Sequence, residues 1–176
     1  MAIWYNEDNP YLKRVPEDTW QGSFRIFLLE ALELTKKGNV LEMGCGRGSS
    51  PLLQSYCRDH NRKLYSYDNN EEWAKKFNST FIGTTMNDWE LCDYALRDYS
   101  VALIDHSPGF HRPLAVERLR KHVGIFIMHD TQPISESGYC WNNIWDTFRY
   151  VTHYKKYSAW ATAASDIYDI NMPPTK

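Results

Sequence analysis

The chain has 176 residues, 43% hydrophobic and 24% charged, with 22 acidic against 20 basic side chains and a net charge of −2. That is enough chain for one domain with a single buried core, and the charge balance argues against a nucleic-acid partner, which needs a concentrated basic face. No apolar run approaches the ~18 residues that span a bilayer, and the polar, acidic stretch from Met1 to Pro10 is unlike a secretory leader, so a cytoplasmic protein without membrane contact is expected.

Residues 1–19 read as an irregular arm punctuated by Pro10 and Pro16. From Trp20 to Lys36 the apolar positions 24, 27, 28, 31, 32 and 34 have helical spacing, and Gly38 ends the helix. A first strand follows at Asn39 to Met43, then a glycine-rich turn. The next helix has Ser50 as N-cap, Pro51 in its first turn, and Leu52, Leu53, Tyr56 and Cys57 on one face. Lys63 to Tyr67 predicts a second strand ending at Asp68, and Asn70 caps a short helix whose first turn carries Glu71 and Glu72. Thr80 to Gly83 predicts a third strand, with a helix from Asn87 or Asp88 through Leu96. Ser100 to Ile104 and Val123 to Met128 are apolar runs suited to strands buried on both faces. Pro113 starts a helix over Leu114 to Lys121 between them. Trp141 to Val151 predicts a helix, and two weaker strands fit within Tyr154 to Ile170. Cys45, Cys57, Cys92 and Cys140 show no pairing or finger spacing, and reduced thiols are the expectation.

Strand and helix thus alternate five times before a final helix and strand pair. The order predicts an α/β fold: a doubly wound, mostly parallel, Rossmann-like sheet of seven strands in a single domain over residues 1–176. Ligands of such sheets bind outside the carboxyl ends of the strands. Glu42, Asp68, Asp105-His106 and His129-Asp130 all fall there.

Residues Val40 to Pro51 read V-L-E-M-G-C-G-R-G-S-S-P. A strand runs into a turn with Gly44, Gly46 and Gly48 at alternate positions and then into a helix N-terminus, where backbone approaches a ligand closely and N–H groups face its polar end. G-x-G-x-G with Glu42 two residues upstream differs from the dinucleotide fingerprint G-x-G-x-x-G. It resembles motif I of the class I S-adenosylmethionine (SAM) methyltransferases. The resemblance implies SAM as cofactor, with Glu42, Gly44, Cys45, Gly46, Gly48 and Ser49 around its amino-acid end and ribose. Asp68, with Asn69 beside it, would accept the ribose hydroxyls. An acidic residue occupies the same place in nicotinamide folds, so Asp68 alone does not choose the cofactor. Thr85, Met86 and Asn87 would lie along the adenine edge, and Asp105 would close the site.

The segment L-I-D-H-S-P-G-F-H-R, a helix, then V-G-I-F-I-M-H-D-T resembles the catechol O-methyltransferase-like branch and a broader set of small H-D-T-type class I enzymes. In the former, one Asp from each of two strand ends and an Asn bind magnesium. Position by position, Asp105 and Asp130 match the aspartates and His106 the His. Thr131 stands in place of the Asn, and Pro108 in place of the catalytic Lys. The resemblance therefore implies a possible Mg²⁺ or other divalent ion on Asp105, Asp130 and Thr131. The residues themselves leave two roles open for the aspartates: metal ligands, or carboxylates that orient the acceptor. His106 or His129 is expected as the base, with Asp130 orienting it.

The acceptor is expected to be a small-molecule or saccharide hydroxyl, contacted by Trp4 to Trp20, Ser107 to Arg112 and Gln132 to Trp141, with a second subunit of a homodimer completing the pocket. Aromatic residues make up 15% of the chain, and packing accounts for them before a substrate cage does. Three alternatives stand beside this reading. They are a nucleotide-cofactor enzyme on the same sheet, a non-catalytic SAM-binding or partner-activating module, and a SAM-using lyase.

Overall fold

The computed structural model describes residues 10–11, 23–85, 87–136, 139–155 and 158–170. Seven strands form one sheet in the order β3-β2-β1-β4-β5-β7-β6. They are β1 (Val40–Met43), β2 (Leu64–Asp68), β3 (Thr80–Phe81), β4 (Tyr99–Ile104), β5 (Val123–His129), β6 (Tyr150–Tyr154) and β7 (Ala161–Ser165). The first five pair in parallel, with Val40 opposite both Leu64 and Val101 and with Val101 opposite Ile125. β7 enters antiparallel between β5 and β6, with Met128 opposite Thr162. Among the described residues five α-helices flank the sheet: α1 (Arg25–Thr35), α2 (Ser50–Asp59), α3 (Glu71–Phe77), α4 (Asp88–Leu91) and α5 (Arg112–Leu119). This is the expected doubly wound, mostly parallel architecture. The arm over residues 1–19 lies outside the described residues apart from Pro10 and Tyr11.

The apolar runs are continuous because successive side chains enter two different cores. Val40, Val101, Leu103, Ile125 and Ile127 pack with Phe27, Leu28 and Leu32 of α1 and Leu53 of α2. Leu41, Ala102, Ile104, Phe126 and Met128 pack on the other face with Val116 and Leu119 of α5 and with Trp141. Asn70 caps α3 by accepting the Trp73 N–H at 3.0 Å.

Several boundaries differ from expectation. Ser49, not Ser50, is the N-cap residue of α2, because the Ser50 hydroxyl is used elsewhere. The helix expected through Leu96 is one α-turn at Asp88–Leu91 followed by a 3-10 turn at Asp93–Leu96. The helix expected over Trp141 to Val151 is a 3-10 segment, Asn142–Thr147, and then the first residues of β6. Trp141, Ile144, Trp145 and Phe148 have helical spacing, but Phe148 turns extended and Tyr150 pairs with Ser165. Ladder formation overrides the local pattern, so one strand rather than two begins after Tyr154. No described helix is long and apolar enough to cross a membrane.

Glu30 of α1 is buried, and its Oε2 has no partner among the described residues. Burial, then Asp169, lifts its pKa from 4.5 to about 7. The folded protein thus binds a proton that the unfolded chain releases between these values, so this group lowers stability as pH rises from 4.5 to about 7. Glu30→Gln is expected to flatten that slope and add about 1–2 kcal/mol at pH 8, part of the ~3 kcal/mol that such a shift represents. Urea midpoints at pH 5 and pH 8 check it; equal slopes in both proteins would refute the assignment.

Candidate functional site

The turn after β1 is braced on three sides. Gly44 has φ +88°, and a Cβ there would stand 2.5 Å from the Asp105 carbonyl oxygen and 2.7 Å from His106 Cα. Only glycine lets the end of β1 lie this close to the end of β4. Glu42 has no exposed surface. It accepts the hydroxyls of Ser50 at 2.8 Å and Ser66 at 2.7 Å, with the Cys45 thiol at 3.8 Å. Burial raises its pKa, and the Ser and Cys donors oppose that rise. Ser50 Oγ in turn accepts the Gly46 N–H at 3.0 Å. On the other side Asp68, 6% exposed, accepts the Cys45 N–H on Oδ2 and the Asn70 N–H on Oδ1, both at 2.7 Å.

These bonds revise the expected roles. The amides of Cys45 and Gly46 are satisfied within the protein, so the turn's donors toward a ligand are left to the residues that follow, Arg47 to Ser49. Glu42 reaches a ligand only through the turn that it holds. At Gly46 a Cβ would meet only Ser49 Oγ, at 3.7 Å, which leaves room against the backbone. Asn69 is half-buried beside Asp68, and Gly48 and Ser49 are buried at the start of α2. Thr85 and Asn87 are exposed after β3, and Met86 lies outside the described residues.

A second cluster joins the ends of β4 and β5. Its centre is Arg112, the first residue of α5 and 5% exposed. Nε donates to the His106 carbonyl at 2.8 Å, and Nη2 to the Asp105 carbonyl at 3.1 Å. Nη1 donates to the His129 carbonyl at 3.0 Å and to Asp130 Oδ2 at 2.9 Å. Nη2 also lies 3.1 Å from Asp105 Oδ1. His129 Nδ1 stands 3.0 Å from the same Asp105 oxygen and 3.6 Å from Asp130 Oδ2. Asp130 holds a left-handed φ of 55°, and its carbonyl accepts the Trp141 indole N–H at 2.8 Å. The Tyr139 ring lies under the guanidinium, 4.7 Å away.

The histidines are pushed in opposite directions. Burial and then Arg112 bring the His106 pKa down to about 3, and neither ring nitrogen has a partner among the described residues. Its ring packs 4.3 Å from Trp89 and lines a cavity of about 350 Å³ with Tyr94 and His111. Burial opposes charge on His129 as well, but Asp105 outweighs it and raises the pKa. Asp105 is held below the usual carboxylate range, because His129 and Arg112 overcome its burial. A base must be neutral to accept a proton. Of the two histidines expected to share that role, His106 is held neutral, while Asp105 shifts His129 toward its charged form.

No protein-family model and no curated protein matches the chain. Solved structures do. The N-terminal domain of human METTL16 in complex with S-adenosylhomocysteine (SAH) superposes with a TM-score of 0.53 at 13% identity, over 90% of this chain and 74% of that one. The plantazolicin methyltransferase BpumL, bound to a triazolic desmethylPZN analog and SAH, gives 0.56 at 14% identity, over 89% and 88%. The O-methyltransferase from Bacillus cereus in complex with SAH gives 0.52 at 13% identity, over 86% and 82%. The chain shares the Rossmann-like fold of these methyltransferases. At such identities the likeness is one of fold.

Within the methyltransferase fold, the metal expected at Asp105, Asp130 and Thr131 does not fit these residues. The Thr131 hydroxyl accepts the Thr162 hydroxyl at 2.7 Å, committing it to β7. Both aspartates are already ion-paired to Arg112. The sequence reading missed Arg112, naming it only as the end of a loop. Its signal is the Arg-Pro at a helix start: a cation there opposes the helix dipole, so a buried Arg112 requires anions nearby.

Proposed function

We propose that the protein is a SAM-dependent methyltransferase acting on a hydroxyl of a small molecule or saccharide. The observation that carries the reading is the joint bracing of the Gly44–Gly48 turn by Glu42 and Asp68, which sets a shaped backbone bend beside a carboxylate at the ends of β1 and β2. When bound, SAM would supply a methyl carbon activated by its sulfonium. The turn would hold the amino-acid end against Gly46 and the α2 N-terminus, and Asp68 would accept the ribose hydroxyls on its remaining lone pairs. Arg112 fixes the ends of β4 and β5, so an acceptor meets a rigid rim. His106, held neutral and buried beside Trp89, is the candidate proton acceptor on the side of the cavity that it lines with Tyr94 and His111.

The acceptor reading draws support from a cavity of about 410 Å³ beyond the end of β5, lined by Gln132, Tyr139, Trp141, Trp145 and Trp160, with Lys155 at its edge. Broad aromatic faces suit a flat or cyclic molecule. A SAM-binding module without turnover is the second reading. It is favoured by the engagement of Asp105, Asp130 and His129 in ion pairs, and by the full burial of His106.

Calorimetry with SAH tests the proposal. Wild-type protein is expected to bind SAH and not NAD. Asp68→Ala is expected to weaken SAH by about 30-fold or more, the equivalent of one charge-assisted hydrogen bond of ~2 kcal/mol, and Asp105→Ala by much less. The opposite ranking, or NAD in place of SAH, would overturn the cofactor assignment. SAH binding with no methyl transfer to any hydroxyl acceptor would select the second reading.

A further inference from the structure

Asp105, His129 and Asp130 each offer one ligand atom, and these atoms all lie within 4.8 Å of one another. Two ligands at right angles on an ion with ~2.1 Å bonds sit ~3 Å apart, close to the 3.0 Å between His129 Nδ1 and Asp105 Oδ1. Two carboxylates and an imidazole make a donor set for a divalent cation such as Mn²⁺. A guanidinium fills the set instead.

We infer that Arg112 is a built-in cation that makes this rim independent of metal, and that removing it uncovers a divalent-cation site on Asp105, His129 and Asp130. The charges argue for it. The Arg112 guanidinium lies 3.1 Å from Asp105 Oδ1 and 2.9 Å from Asp130 Oδ2, and the His129 ring nitrogen 3.0 Å from the same Asp105 oxygen. A dication added beside them meets the guanidinium's charge and carboxylates that are already ion-paired. Without the guanidinium, the two half-buried carboxylates face each other with only the His129 ring nitrogen beside them. The carbonyls of Asp105, His106 and His129 lose their donor as well. A hydrated divalent ion answers both needs: it neutralises the carboxylates, and the waters it keeps can donate to the carbonyls. Arg112 is on this account a positioning residue. The inference concerns the electrostatics of the rim and stands apart from the cofactor, which the SAH titration tests separately.

The experiment is a Mn²⁺ titration followed by electron paramagnetic resonance, with folding followed by circular dichroism. Wild type is expected to take up no stoichiometric Mn²⁺. Arg112→Ala is expected to bind one equivalent at least about 100-fold more tightly than wild type, and to gain thermal stability, or fold outright, on adding the ion. The double variant Arg112→Ala/Asp130→Asn is expected to lose that uptake. The inference is overturned if wild type itself binds one equivalent that Asp130→Asn removes. It is equally overturned if Arg112→Ala gains neither ion nor stability at millimolar Mn²⁺, or if the double variant binds as the single one does.

Discussion

Gly44→Ala is expected to abolish measurable SAH binding and to cost about 3 kcal/mol or more of stability. Two effects add. A φ of +88° is strained for any residue with a Cβ, on the order of 1–2 kcal/mol. The new methyl would also stand 2.5 Å from the Asp105 carbonyl oxygen and 2.6 Å from its carbon. These are backbone atoms of a central strand end, which cannot swing aside as a side-chain tip can. Relief requires β1 and β4 to part at their ends, where Cys45 meets Asp68 and Asp105 meets Arg112. Gly46→Ala is the internal control. Its methyl meets nothing nearer than 3.7 Å, so stability should hold while SAH affinity falls through occlusion. Urea melts and calorimetry on both variants check this. A Gly44→Ala protein as stable as Gly46→Ala would mean that the close approach is not rigid.

Arg112→Ala, in the absence of divalent ions, is expected to lose about 3–5 kcal/mol. That is the usual loss when one partner of a buried ion pair is removed and the other charge stays behind. Here two carboxylates and three carbonyls lose their partner at once. Arg112→Lys should recover little, because one ammonium cannot span the separate directions that the planar fork serves. Chemical denaturation reads the difference. A loss below about 1 kcal/mol would show that the rim holds together without the clamp.

The sheet was legible because its signals are local. The strands β1, β4 and β5 are short apolar runs that no helix face requires, and the turn residues between them have few other uses. The mostly parallel, doubly wound sheet followed from alternation, and the glycine turn from its spacing. What sequence reading missed depends on partners distant along the chain. Ser50 looks like a cap until Glu42 and the Gly46 amide claim its hydroxyl. Trp141 to Val151 looks helical until β7 offers Tyr150 a ladder. Thr131 looks like a ligand until Thr162, 31 residues on, takes its hydroxyl. Arg112 was hidden for the opposite reason. Its neighbours name it a loop residue, and only the convergence of two strand ends gives it five acceptors. The two histidines read alike in the sequence, and their different surroundings then drive them apart: Asp105 beside one, burial and Arg112 around the other.

Glu42 and Asp68 brace the Gly44–Gly48 turn from both sides. Glu42 and Asp68 close their hydrogen bonds before any ligand arrives, so the entropy of ordering that loop is spent during folding and not during association. A brace-loosening change such as Ser66→Ala should therefore weaken affinity while leaving every atom that touches the ligand in place, and its signature should be an unfavourable entropy of binding.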